Sequence, residues 1–172
     1  IYKCLERNFR IMSTVLTSEQ RNNVLRSMVN LIGLEAQSII SANQIDVANY
    51  SGGDIAMLDR LKVDMSKVEG MKRSLKQLIE DRDPLGQEIY KFNHENGLKI
   101  VNKTAPFGTV MIIYESRPDV TIEAAGIAFK SGNKIILKGG KESLNSNLKI
   151  VQLWHQALKE HGITTSWVDY LN

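Results

Sequence analysis

Two short stretches carry the residues best suited to chemistry. The apolar run Val110-Met111-Ile112-Ile113, with Tyr114, stops abruptly at Glu115-Ser116-Arg117-Pro118. The run Ile135-Ile136-Leu137 stops at Lys138-Gly139-Gly140-Lys141-Glu142-Ser143. An arginine wedged between a serine and a proline is surplus to a plain turn, but it can grip a carboxylate or phosphate through two parallel hydrogen bonds. Its simpler partners would be Glu115 or Asp119. Pro118 keeps Arg117 out of helical geometry and stiffens the turn. Glu115 reads either as a general base or as a solvated or paired carboxylate. In the second stretch the glycines let a backbone approach a ligand closely. Lys138 and Lys141 offer charge to phosphate or ribose oxygens, and a helix starting near Ser143 would turn its amides toward an anion. A glycine turn with two solvated lysines accounts for the same residues.

Other chemistries find less support. Gly140-Lys141 is followed by Glu142 rather than Ser or Thr, and no glycine stands five positions before Gly140, so the phosphate loop of nucleoside triphosphatases is excluded. The three-glycine dinucleotide fingerprint is also missing. His94, His155 and His161 lie at no metal-ligand spacing, and the single cysteine, Cys4, excludes an internal disulfide and a cysteine zinc site. Cys4 sits on an amphipathic stripe with no histidine near it in sequence, which reads as a packed or idle thiol rather than a nucleophile. No catalytic nucleophile is visible in the chain.

Charge supports the anion. Of the net +3, residues 1–98 contribute nothing, whereas residues 99–149 hold eight basic and four acidic side chains. The excess coincides with the two stretches. Basic residues interleaved with aromatics are missing, which argues against nucleic acid and for a small anionic ligand. No apolar run approaches the roughly 20 residues of a membrane span, and no signal peptide is visible. A single cysteine suits a reducing cytoplasm. The chain starts at Ile1 rather than methionine, which reads as a start inside a longer gene.

The elements that must position these residues follow from periodicity. Tyr2, Leu5, Phe9, Met12 and Leu16 form one helical stripe. Thr17-Ser18-Glu19-Gln20 is a capping-box start for a long helix through Leu31 and Ile39, broken at Ser51-Gly52-Gly53. A short helix follows over Ala56–Leu61, and Ser66 with Glu69 opens another that runs to about Glu80. After the turn Asp83-Pro84-Leu85-Gly86, residues 87–92 and 98–103 alternate as an antiparallel strand pair around the polar loop 94–97. From Pro106 the pattern is a buried strand over Val110–Tyr114, a helix over Thr121–Ser131, a strand over Lys134–Leu137, a helix over Ser143–His161 and a short strand over Trp167–Leu171. Such alternation predicts parallel strands joined by helical crossovers, with both suspicious segments at strand carboxyl ends, where ligands bind in open α/β sheets. Three strands make half of a usual doubly wound nucleotide domain.

The pieces AMLDRL (56–61), DPLG (83–86), GLKI (97–100), PFGTVMIIYESRPDVTIEAA (106–125) and FKSGNKIILKGGKESLNSN (129–147) resemble, in order and spacing, the gamma-glutamyl phosphate reductase (glutamate-5-semialdehyde dehydrogenase) family of the aldehyde dehydrogenase superfamily. The resemblance implies an α/β fold: N-terminal helices and a strand pair leading into the first half of a Rossmann-like parallel-sheet cofactor domain. The divisions are residues 1–82 (helical), 83–105 (strand pair) and 106–172 (partial NADPH-binding unit). It implies NADPH-dependent reduction of gamma-glutamyl phosphate to glutamate-5-semialdehyde in proline biosynthesis, as part of a longer cytoplasmic enzyme. The nucleophilic cysteine is expected beyond Asn172, so the chain alone is expected to be inactive. The resemblance assigns cofactor contacts to Lys138, Gly139, Gly140, Lys141 and Ser116, and substrate or phosphate contacts to Glu115, Ser116, Arg117 and Pro118. It also implies a homo-oligomer formed through the strand pair, with no metal, nucleic acid or membrane partner. The acidic residue that superfamily members often carry after the lysine has no clear counterpart, because Lys141 stands three positions on and Glu142 comes next. Other readings of the same residues are another acyl-phosphate or aldehyde reductase of the superfamily, or a non-catalytic nucleotide-binding or oligomerisation module.

Overall fold

The computed structural model describes residues 16–172. The stripe from Tyr2 to Met12, and Cys4 with it, lie outside the described residues.

Helix α1 (Ser18–Leu34) opens with the expected capping box: Thr17 Oγ1 accepts from the Gln20 amide at 3.1 Å, and Gln20 Oε1 accepts from the Thr17 amide at 2.9 Å. The expected single long helix is instead two, because Glu35 leaves helical geometry (ψ 14°) and α2 (Ala36–Asn49) restarts after it. Gly33 weakens the last turn of α1, and Lys149 holds Glu35 at the break at 2.9 Å. Helix α3 (Ile55–Leu61) is short. Helix α4 (Met65–Glu80) is capped not by Ser66 but by Asp64, whose carboxylate accepts from the Lys67 amide at 2.8 Å. Glu69 pairs with Lys72 instead.

Strands β1 (Glu88–Asn93) and β2 (Lys99–Lys103) pair antiparallel around the predicted loop. Every residue of both is exposed. Register places Tyr90, Phe92 and Ile100 on one face of this ribbon. The parallel sheet has the order β3-β4-β5, with β3 (Thr109–Ile113), β4 (Lys134–Lys138) and β5 (Val168–Tyr170). Helix α5 (Pro118–Lys130) links β3 to β4, and α6 (Leu144–Glu160) links β4 to β5. The expectation of a buried first strand is corrected: β3 is an edge, and Met111 and Ile113 are 49% and 75% exposed. Among the described residues β4 is its one strand neighbour, and the backbone groups on its other edge have no strand partner.

One continuous core joins the helical segment to the sheet, running from Val24, Leu25 and Ile32 of α1 through Leu75 of α4, Phe129 of α5 and Trp154 of α6 to Val168. Phe129 packs against Trp154 and Trp167, with ring centroids 5.8 and 5.6 Å apart. The α5–β4 turn depends on Gly132, whose φ of +70° disfavours any side chain, and a Cβ there would also lie 2.7 Å from Leu85 Cδ1. Gly132→Ala is therefore expected to cost about 1–2 kcal/mol of stability, measured as a lower urea midpoint at unchanged slope. An unchanged midpoint would mean that the turn and Leu85 relax freely.

Candidate cofactor and anion site at the strand ends

The carboxyl ends of β3 and β4 bring the two sequence-predicted segments together. In-register pairing of Ile113 with Lys138, and the Tyr114 amide donating to the Lys138 carbonyl at 3.0 Å, bring the two strands to the same level. Arg117 takes extended geometry (φ −131°, ψ 96°) as the residue before α5, and Pro118 occupies the first helical turn. Helix α5 thus begins three residues earlier than periodicity suggests.

Each predicted site residue has a definite place. Glu115 is three-quarters exposed and faces Arg60 of α3 at 3.3 Å. Arg117 pairs with Asp119 at 3.1 Å and remains half exposed. Ser116, by contrast, is buried, and its hydroxyl donates to Glu142 Oε2 at 2.7 Å. Lys138 is partly buried at the end of β4. Lys141 is exposed and has no ion-pair partner among the described residues. It lines a cleft of about 600 Å³ with Asn49, Tyr50, Ser51, Met57 and Glu142. Glu142 is held below the usual carboxylate range, chiefly by the Ser116 hydrogen bond and then by its own backbone amide.

Two expectations about this loop change. The glycines do not leave open space for a ligand: a Cβ on Gly139 would fall on Asn147 Nδ2 and reach the Tyr114 ring, and one on Gly140 would fall on Ser116 Oγ. Helix α6 does not turn free amides toward an anion either. Asp46 of α2, itself buried, accepts from the Asn145 and Ser146 amides at 3.0 and 2.8 Å, and from the Ser146 hydroxyl at 2.6 Å. The chain supplies its own anion at that helix end.

Beneath the loop lies a buried network that sequence reasoning missed. The Tyr114 hydroxyl meets Thr121 Oγ1 at 2.7 Å, Thr121 donates to Asn147 Oδ1 at 2.7 Å, and Asn147 Nδ2 reaches Ser143 Oγ and the Tyr170 hydroxyl at 2.9 and 3.2 Å. Burial pushes the Tyr114 phenol up to about 12, against the opposing effect of its Thr121 hydrogen bond. It therefore stays a neutral hydrogen-bonding group. The network braces β3, α5, the β4–α6 loop and β5 at the level where a ligand would sit. The only sequence signal for it is the four-residue spacing of Ser143 and Asn147 on one helix face.

No protein-family profile matches the chain. Among solved structures, an acetylating aldehyde dehydrogenase from Geobacillus thermoglucosidasius superposes with a TM-score of 0.63 at 15% identity, over 90% of this chain and 32% of that one. Glyceraldehyde-3-phosphate dehydrogenase from Methanocaldococcus jannaschii, complexed with NADP, gives 0.64 at 13% identity, over 95% and 34%. The fold is thus aldehyde-dehydrogenase-like. A much nearer likeness is gamma-glutamyl phosphate reductase from Thermotoga maritima, with a TM-score of 0.86 and 36% identity over 91% of this chain and 38% of that one. The gamma-glutamyl phosphate reductase of Ligilactobacillus salivarius is 36% identical over 157 residues, again 91% of this chain and 38% of the relative. The chain is a homologue of gamma-glutamyl phosphate reductases, and it spans 38% of the length of these two.

Proposed function

We propose that this chain supplies the cofactor-side loops of an enzyme that reduces gamma-glutamyl phosphate to glutamate-5-semialdehyde with NADPH, in proline biosynthesis. The observation that carries the reading is the pairing of that homology with a strand-end site in which Lys138 ends β4, Lys141 lines a cleft just beyond it, and the nearby carboxylates are already engaged, Asp46 of the cleft by Asn145 and Ser146. Glu142 is tied to Ser116, Glu115 to Arg60 and Asp119 to Arg117. A nicotinamide dinucleotide phosphate fits such a donor set. Lys138 would hold ribose oxygens, Lys141 the phosphate that distinguishes NADPH from NADH, and the Gly139-Gly140 backbone would set their spacing. When bound, NADPH supplies the hydride. Arg117 can exchange its exposed Asp119 contact for the acyl phosphate, because an exposed pair is worth little in water. Pro118 fixes the turn from which it reaches out.

The nucleophilic cysteine is expected in the portion of the relatives that this chain does not match, so turnover needs that portion. Residues 1–82, 83–105 and 106–172 are proposed as the helical, strand-pair and cofactor-binding parts of one cofactor domain. A ribbon exposed on both faces is marginal alone. Tyr90, Phe92 and Ile100, each about half exposed, suit it to pair with a second copy of the enzyme. No described helix is long and apolar enough to cross a membrane, and a cytoplasmic location suits the proposed activity.

The test is phosphate-dependent NADP+ reduction with glutamate-5-semialdehyde, using this chain alone and joined to the unmatched portion of the Thermotoga maritima reductase. The joined protein is expected to turn over and the short chain is not. Lys141→Ala in the joined protein is expected to raise KM for NADP+ about tenfold and leave that for NAD+ within about twofold, the size of one lost charge-assisted contact. Activity in the short chain would overturn the assignment of the nucleophile. An unchanged cofactor preference would remove Lys141 from the site.

A further inference from the structure

The two strand-end segments are joined by one direct side-chain hydrogen bond, and it consumes the carboxylate that stands next to Lys141. Ser116 Oγ, almost fully buried, donates to Glu142 Oε2 at 2.7 Å across 26 residues of sequence. Gly140 packs directly onto this pair, since a Cβ there would fall on Ser116 Oγ and come within 3.0 Å of Glu142 Oε2. The Glu142 backbone sits in a 3₁₀ turn (Lys141–Ser143) whose Ser143 amide donates back to the Gly140 carbonyl at 3.2 Å. The backbone of the loop is thus held by itself, and its side-chain link to the β3 end runs through Glu142.

We propose that Glu142 is a positioning residue that latches the Glu115–Pro118 turn to the Gly139–Ser143 loop through Ser116. The latch commits one Glu142 carboxylate oxygen to Ser116, so that Lys141, which has no ion-pair partner among the described residues, keeps its charge for the cleft that both side chains line. The second half of this inference rests on the cofactor reading above; the latch itself does not. Three consequences follow from the geometry. Arg117 and Lys141 lie on the two latched segments, so the latch fixes the separation of the two cations assigned to anions. A carboxylate released beside Lys141 would repel a phosphate where the lysine attracts it. Gly140 is required because any side chain would pry the latch open.

Hydrogen exchange on the chain as it stands tests the latch. Glu142→Ala is expected to raise exchange about tenfold at the amides of residues 115–117 as well as at 139–143, the loss due to one charge-assisted hydrogen bond. Glu142→Gln keeps an oxygen to accept from Ser116 and is expected to retain near-native protection at both segments. Gly140→Ala, which leaves both partners chemically intact, should reproduce the alanine result. Faster exchange confined to 139–143 in Glu142→Ala would overturn the latch, as would loss of protection at 115–117 in Glu142→Gln equal to that in Glu142→Ala.

The electrostatic half is read from the affinities of the joined protein for NADPH and NADH. Ser116→Ala frees the carboxylate and is expected to weaken NADPH about tenfold and NADH by less than about twofold. Adding Glu142→Gln to Ser116→Ala should restore NADPH affinity, a rescue that a purely structural defect would not give. Equal weakening of both dinucleotides, or no rescue, would overturn the electrostatic role. If the unaltered joined protein bound neither dinucleotide, the cofactor reading and the electrostatic half would fall together, and the exchange result alone would decide the latch.

Discussion

Asp46→Ala is expected to lower the stability of the chain by about 3–4 kcal/mol, a large share of the 5–15 kcal/mol typical of a domain. The carboxylate is buried at the N-terminus of α6 and accepts four hydrogen bonds: from the Asn145 amide and Nδ2, and from the Ser146 amide and hydroxyl. Two of these donors are helix-end amides with no partner inside the helix. Removing the carboxylate strands them where water enters poorly. An ordinary N-cap loss costs about 1 kcal/mol; a buried ionised acceptor serving four donors should cost several times that. Asp46→Asn tests the mechanism. Its oxygen can still accept from Asn145, but its NH2 group would face the Ser146 donors, so about half the loss is expected. Urea unfolding measures both variants. A loss below about 1 kcal/mol for alanine would mean that another acceptor replaces Asp46 without strain.

The same residue shows where sequence reasoning ran out. Patterns confined to neighbouring residues were readable: the Thr17–Gln20 capping box, the ribbon around 94–97, the alternation of strands and helices from Pro106, and the extended geometry that Pro118 imposes on Arg117. Asp46 lies 99 and 100 residues from the two amides it serves, so nothing near Ser143 could reveal that the helix end was already filled. The Ser116–Glu142 bond spans 26 residues and escaped for the same reason. Both glycines of the second loop suggest space for a ligand, yet the space belongs to Ser116, Tyr114 and Asn147. Local competition misled twice. Asp64 outcompetes Ser66 as a cap because its carboxylate is the stronger acceptor, and Glu35 breaks the first long helix because α2 must turn Ile39 and Asn43 back into the core. The apolar run of β3 looks like a buried strand, but burial depends on neighbours, and among the described residues β4 is its one strand neighbour. The two loops at the strand ends were therefore located correctly while their internal wiring stayed hidden.

Asp83→Ala is expected to cost about 3–4 kcal/mol, because it leaves buried Arg21 without its ion-pair partner and removes the negative charge that offsets the burial of Lys130. Arg21 of α1, 2% exposed, places Nη2 2.5 Å from Asp83 Oδ2, while Lys130 at the end of α5, 3% exposed, is held by Asn22 Oδ1 at 2.8 Å. Arg21 Nε has no hydrogen-bond partner among the described residues. Burial lowers the pKa of both bases; Asp83 opposes that shift, and Lys130 is lowered further by the Arg21 charge. Burial would raise the Asp83 pKa, yet the Leu85 amide, Ser18, Arg21 and Lys130 together hold it below the ordinary value. A carboxylate with a depressed folded pKa contributes stability that is complete above its unfolded pKa of about 4 and is lost as pH falls through the folded value. The wild-type chain should therefore lose stability below about pH 4 more steeply than Asp83→Ala does. The cation pair gives a sharper check. Once Asp83 is gone, Lys130→Met removes a like charge from beside Arg21, so the double variant is expected to recover about 1–2 kcal/mol of the single variant's loss. In the wild-type background the same Lys130→Met change should be nearly neutral or destabilising, because there the Asp83 charge still offsets the lysine's burial and Lys130 donates to Asn22. A double-mutant cycle by urea unfolding reads that opposition of sign directly. Additivity within about 0.5 kcal/mol would show that Lys130 and Asp83 do not feel each other. The charge holding Asp83 at the root of the ribbon would then be that of Arg21.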